Sequence, residues 1–312
     1  MQKARLYIVI IGVFIIAGCQ SKRSLLDQVE QCIIDSNYNK AILICNEVLA
    51  DDSTNVEAYY KRGYSLECLM DYKNAAENYS SSIHFNKNGW RGYLYRAILL
   101  CKQQHFEYSI PDFNAALSNA PSDSVKEIVL TDRGHTYATL RKFNIAAEDF
   151  KKALKYNPRN RYAMTGIGEC LSETGKTRES VSYFEKAIEI DSAFEAGYVN
   201  LAFVYSRLDE HLKSIEINNK ILAKRPNEPY ALNNRGYSKM QLNDLAGAME
   251  DINHSIQLAP GNSYAFRNRG LLYLKLAKNN EACADFQTAL KLDFTRYYGN
   301  EVEQLAKKCY IK

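Results

Sequence analysis

Small and apolar side chains return along this chain at helical spacing, and the pattern as a whole returns about every 34 residues. Val29, Gly63, Ala97, Gly134, Gly168, Ala202, Gly236 and Gly270 form one column at a constant step, lengthened only between Ala97 and Gly134. Twelve positions further on stand Ala41, Ala75, Ser109, Ala146, Ser180, Ser214, Ala248 and Ala282. Seven beyond those come Val48, Ser82, Ala116, Ala153, Ala187, Ile221, Ser255 and Ala289. Between the second and third columns lies a larger residue: Tyr79, Phe113, Phe150, Phe184, Ile252 or Phe286. Small side chains at fixed points let two helix axes approach closely. The period therefore predicts a repeat array with two helices per unit. Pro121, Pro158, Pro226 and Pro260 fall just after the second helix, where proline stops a helix.

These columns resemble the tetratricopeptide repeat family. The resemblance implies an all-α fold, an alpha-alpha superhelix of about eight helix-turn-helix repeats. On this register the repeats cover 22–294 and start near Lys22, Val56, Trp90, Glu127, Arg161, Glu195, Pro229 and Ser263. The first repeat departs furthest from the pattern, with Val29 and Cys45 at its small and aromatic positions. Three extra residues within 121–126 are expected to lengthen a turn and leave the helices in phase. In the stretch 295–312, Val302, Leu305, Ala306 and Cys309 recur at helical spacing. One capping helix over the last repeat is expected there.

The N-terminal stretch reads differently. Lys3 and Arg5 give a positive start, and Leu6 to Ala17 is an apolar run too short for a membrane-spanning helix. Ile16-Ala17-Gly18-Cys19 resembles the bacterial lipobox. That resemblance implies a signal peptide over 1–18, a lipidated Cys19 and a short tether over 19–21. Gln20 after the cysteine favours the outer over the inner membrane within a bacterial cell envelope.

Composition adds exclusions. Formal net charge is +4, and removing Lys3 and Arg5 leaves 4 − 2 = +2, too weak for a nucleic-acid partner. The seven cysteines Cys32, Cys45, Cys68, Cys101, Cys170, Cys283 and Cys309 are odd in number and scattered. They read as small fillers of helix interfaces, with any intramolecular pairing left open. His84, His105, His135, His211 and His254 are isolated, no Cys-x-x-Cys pair exists, and Gly166-Ile167-Gly168 lacks a third glycine. No catalytic residue, metal site or cofactor is expected.

Two polar patterns remain. Arg96, Arg133, Arg235 and Arg269 precede the small column, and sixteen residues later stand Asp112, Asp149, Asp251 and Asp285. Where the Arg is absent, as at Ile167 and Leu201, the Asp is absent too. This covariation within one chain predicts ion pairs joining the two helices of a repeat, since a guanidinium meets a carboxylate with two hydrogen bonds. Arg62 has Asn78 in the same relation.

The family resemblance also places the first helix of each repeat along a concave groove. Asn200, Asn234 and Asn268 occupy one such position in three successive repeats. An amide both donates and accepts, so this ladder could hold an extended chain. Asn233, Tyr230, Tyr237, Gln241, Tyr264, Arg267, Arg207 and Lys275 surround it. The expected activity is non-enzymatic: a lipid-anchored envelope scaffold binding protein or peptide partners. The alternatives are a glycan or small-ligand receptor and an accessory subunit of an envelope enzyme.

Overall fold

A computed structural model describes residues 25–309. The leader, Cys19, the tether and the first repeat's start at Lys22 lie outside the described residues. The described residues are all-α, with no strand among them. The chain divides into two compact units after Asp132.

The first unit contains α1 (25–34), α2 (Tyr38–Asp51), α3 (Val56–Cys68), α4 (Tyr72–Phe85), α5 (Trp90–Lys102), α6 (Phe106–Ser118) and the start of α7 (Asp123–Thr139). The second unit takes up the rest of α7. It continues with α8 (Phe143–Tyr156), α9 (Arg161–Glu173), α10 (Thr177–Ile190), α11 (Glu195–Arg207), α12 (His211–Lys224), α13 (Pro229–Gln241), α14 (Leu245–Leu258), α15 (Ser263–Lys275) and α16 (Asn279–Lys291). It closes with α17 (Phe294–Tyr298) and α18 (Glu301–Lys308). Odd-numbered helices up to α15 are the first helices of repeats, A; even-numbered ones up to α16 are the second, B.

The glycine column has a specific steric cause. A Cβ built on Gly63, Gly134, Gly168 or Gly236 would lie 2.7 Å from Tyr79, Phe150, Phe184 or Ile252 respectively. At Gly270 it would lie 2.5 Å from Phe286. Each large B-helix side chain is thus laid flat on the glycine of its own A helix, and these side chains are fully buried. Gly166 receives the other face of Phe150, from the preceding repeat, where a Cβ would come within 2.4 Å. That is the physical role of Gly166-Ile167-Gly168. Repeat six lacks the arrangement: Ala202 replaces Gly, and fully buried Asn218 replaces the aromatic. Asn218 donates to the Ser214 carbonyl at 2.8 Å, while its Oδ1 has no partner.

Every A-to-B turn reverses through one left-handed residue. Ser36, Met70, Gln104, Arg141, Asp209, Asn243 and Ala277 take φ between 57° and 68°, and Gly175 takes 85°. The Schellman pattern accompanies it, as in Met70 N–H to Glu67 O (2.9 Å) and Asp71 N–H to Leu66 O (2.9 Å). In the B-to-A loops Asp52, Asn86, Asn157 and Asp191 accept the N–H two residues on, at 2.9–3.1 Å.

Two expectations need correction. The extra residues of repeat four do not lengthen a turn; they extend α7 to 17 residues, against 13 in α5 and α9. Its start is Asp123, not Glu127, because the Ser122 hydroxyl accepts the Val125 N–H at 3.3 Å and caps an earlier turn. The C-terminal stretch is two short helices rather than one. Gly299, at φ 89°, breaks it between α17 and α18.

Cys283 on α16 is disulfide-bonded to Cys309 at the end of α18. Burial pushes the thiols of Cys45 and Cys170 up to about 12, so these two are inert fillers.

Candidate functional site

The Arg–Asp columns set which polar groups remain for a site. Arg96 Nε and Nη2 donate to Asp112 at 2.7 and 2.8 Å. Arg133 meets Asp149, Arg235 meets Asp251 and Arg269 meets Asp285 in the same two-pronged way, all at 2.7–2.8 Å. A third contact, to the preceding B helix, has no counterpart in the sequence reading. Arg62, Arg96, Arg235 and Arg269 donate through Nη1 to Asn46, Ser80, Asn219 and Asn253, each sixteen residues earlier, at 2.7–3.1 Å. Each guanidinium therefore bridges three helices. These groups are consumed by packing.

The A-helix polar residues of the second unit follow another rule: they reach back to the preceding A helix. Asn200 Nδ2 donates to Glu169 at 2.7 Å, and burial raises the Glu169 carboxyl above its usual range. Asn234 reaches the Val199 carbonyl at 3.4 Å, and Asn268 reaches Asn233 at 3.0 Å. Arg207 donates to Ser172 at 3.0 Å and Glu173 at 2.8 Å, and Lys275 donates to the Met240 carbonyl at 3.3 Å. The asparagine ladder is corrected accordingly. Asn268 is 0 % exposed and also accepts from Arg267 Nη1 at 2.7 Å, and Asn233 is buried beside it. These two amides stitch neighbouring A helices.

One opening, a cleft of about 210 Å³ in the second unit, gathers many of these A-helix side chains. Of the residues singled out from the sequence, Arg207, Asn234, Tyr237, Tyr264, Arg267 and Asn268 line it. Asn200, Asn233, Tyr230, Gln241 and Lys275 do not. Phe203 and Glu173 line it as well, together with Phe294, Tyr298 and Glu301 from the C-terminal helices. Sequence reasoning missed these five. Tyr298 and Glu301 had a signal: they stand one full period after Tyr264 and Arg267.

The geometry is aromatic and charge-paired. The Arg267 guanidinium lies 5.5 Å from the Tyr237 ring centre and 5.3 Å from that of Tyr264. Its Nε donates to Glu301 at 3.2 Å, and Nη2 reaches the second oxygen of the same carboxylate. Arg207 sits 5.8 Å from Phe203, and Tyr264 packs against Phe203, Phe294 and Tyr298 at 5.7, 5.8 and 5.0 Å. Burial raises the Tyr264 hydroxyl pKa, so it stays a neutral donor. Two cations and two carboxylates line the cleft. It presents aromatic faces with balanced charge, the composition of an interface anchor pocket. Among the described residues no three His, Cys, Asp or Glu are grouped to hold a metal. No helix among them is long and apolar enough to cross a membrane.

The A-helix face of the first unit shares this backward reach and adds a tyrosine stack. Tyr95 stacks on Tyr60 at 5.9 Å and on Tyr79 at 5.7 Å, with Tyr64 tilted against it at 6.0 Å. The Tyr79 hydroxyl donates to buried Glu67 at 2.7 Å, and Lys102 pairs with the other oxygen. Lys61 is buried against Glu30.

Comparison with known proteins agrees with this construction. Tetratricopeptide repeat family models match residues 131–193, 229–262 and 266–296. The crystal structure of a tetratricopeptide repeat protein from Parabacteroides merdae is similar with a TM-score of 0.68 and 18% identity, covering 81% of this chain and 98% of that one. At that identity the likeness shows the fold. Anaphase-promoting complex subunit 3 of Schizosaccharomyces pombe is 21% identical over 171 residues, 55% of this chain and 26% of the relative. Hsp70-Hsp90 organizing protein 1 of Glycine max is 22% identical over 218 residues, 61% of this chain and 38% of the relative. The chain thus spans well under two thirds of the length of these relatives. It carries tetratricopeptide repeats, a construction typical of protein–protein interaction scaffolds.

Proposed function

We propose that this chain is a lipid-anchored scaffold of a bacterial cell envelope, and that it binds a protein or extended peptide in the A-helix cleft of its second unit. The cleft carries the reading. Its rings and guanidiniums converge on one opening, whereas the Arg–Asp columns are consumed by packing. A relative whose name describes organising Hsp70 and Hsp90 supports a partner-binding role for such repeats.

The anchor rests on the sequence alone: Cys19 with its lipobox-like residues, and Gln20 favouring the outer membrane. Firm attachment follows because each buried methylene contributes about 0.8 kcal/mol. The Cys283–Cys309 disulfide supports an oxidising compartment. Catalysis, cofactors and nucleic acid have no part in this reading.

Retention of envelope proteins on immobilised wild type and on a Tyr237→Ala/Arg207→Ala variant tests it. A protein held by the wild type and lost from the variant is expected. Equal retention by both would remove the cleft from the mechanism. Retention of saccharide without protein would favour a glycan receptor. Fatty-acid labelling tests the anchor: label should be absent from a Cys19→Ala protein.

A further inference from the structure

The C-terminal segment does more than cover the last repeat. Phe294 and Tyr298 from α17 and Glu301 from α18 line the cleft together with Phe203, Arg207 and Tyr237. Helices of five and eight residues have little stability of their own. Their positions depend on what holds them: Phe294, Val302 and Ala306 buried against Phe286 and Ala289, the Glu301 carboxylate on Arg267, and one covalent bond. That bond joins Cys309 at the far end of α18 to Cys283 on α16, across 26 residues. Gly299, in a backbone conformation that favours glycine, separates the two short helices and supplies a pivot. Both bridged cysteines are half-buried, so a small thiol can reach them.

We propose that the Cys283–Cys309 disulfide is a redox clamp on the partner cleft, and that its reduction by a dithiol releases α18 and with it the Glu301 wall. This rests on the cleft being the binding site, and assigns that site its regulation. A thiolate of the dithiol attacks one sulfur of the bridge. The S–S bond breaks, the other cysteine leaves as a thiolate and takes a proton, and a mixed disulfide forms. The second thiol of the reductant then displaces the first cysteine. Two electrons and two protons pass to the protein, and the dithiol ends as its own disulfide. In the oxidised state α18 is tethered at both ends, through the chain at Gly299 and through Cys309. Reduction leaves only the Gly299 end. The Arg267–Glu301 pair, with Glu301 half-exposed, then opens with the helix.

Hydrogen exchange of the full-length lipidated protein in detergent, with and without dithiothreitol, tests this directly. Amides of 301–308 are expected to exchange about tenfold or more faster after reduction, while helices of the first unit are unaffected. A Cys283→Ser/Cys309→Ser variant should match the reduced wild type before any reductant is added, and should not respond to it. Unchanged exchange over 301–308 on reduction of the wild type would overturn the clamp. Partner retention by the oxidised protein, measured without reductant, tests the cleft separately, so either idea can fail alone.

Discussion

The A-helix faces of the two units are made from the same residue types and end in different states. In the first unit the tyrosines stack on one another, buried Lys61 pairs with Glu30, and buried Glu67 takes the Tyr79 hydroxyl and Lys102. In the second, Arg267 stands between Tyr237 and Tyr264, and a cleft remains. The difference begins one layer down. Tyr79 donates its hydroxyl to Glu67, while Phe184, Ile252 and Phe286 of the second unit, like Phe113 of the first, end in hydrocarbon. A repeat frame of nearly constant geometry thus carries a tyrosine stack in one unit and an aromatic, arginine-bearing cleft in the other.

If the frame is shared, damaging it should cost the same in both units. Tyr79→Ala and Phe150→Ala should each lose about 3–5 kcal/mol in denaturant unfolding, since each empties a fully buried site. A large inequality would show that the frame differs as well as the face. Next come the ion pairs. Asp112→Ala and Asp251→Ala should each cost about 2–3 kcal/mol by stranding a partly buried guanidinium. Double variants with Arg96→Ala and Arg235→Ala should lose less than the sum. Additive losses would sink the three-helix bridge.

The second unit also has a flaw that the first lacks. Asn218 occupies the deep aromatic position with its Oδ1 unpaired, so Asn218→Leu should stabilise the protein by about 1–2 kcal/mol. A loss measured by thermal unfolding would mean that the amide has a structural role. The first unit ends on its own strained group. Burial, with repulsion from Glu127, pushes the Asp132 carboxyl up to about 6. The folded value lies above the unfolded one. The stability linked to this group is therefore complete below the ordinary aspartate range and is lost as pH rises through about 6. Asp132→Asn should gain roughly 1 kcal/mol near pH 7 and nothing near pH 4. A gain independent of pH would assign the effect to something other than charge. Smallest is Tyr79→Phe, which makes the first unit resemble the second and should cost about 1 kcal/mol by leaving Glu67 with Lys102 alone.

The frame was legible because its cause is local and periodic. A glycine and an aromatic sixteen residues apart, or an Arg and an Asp at the same distance, pair within one helix hairpin whose turn hardly varies. The reach of those arginines back to Asn46, Ser80, Asn219 and Asn253 was not read, because it depends on how repeats stack. The same reason explains the asparagine column. Its phase was visible, but which way Asn268 faced depended on the spacing between A helices. At 121–126 a proline and serines resemble a turn in composition, yet Ser122 acts as a helix cap. Tyr298 and Glu301 continue the columns of Tyr264 and Arg267 one period further, so part of the C-terminal wall was legible, but Phe294 follows no column, and the Cys283–Cys309 pairing is fixed only by the docking of α18.

The central claim is that the cleft of the second unit, not the tyrosine stack of the first, meets the partner. Photo-crosslinking in envelopes decides it, with a benzophenone amino acid placed at position 237 in one protein and at position 95 in another. Adducts to a protein from position 237 and none from 95 are the predicted result. Adducts from 95 with none from 237 would contradict it, and would move the binding surface to the tyrosine stack of the first unit.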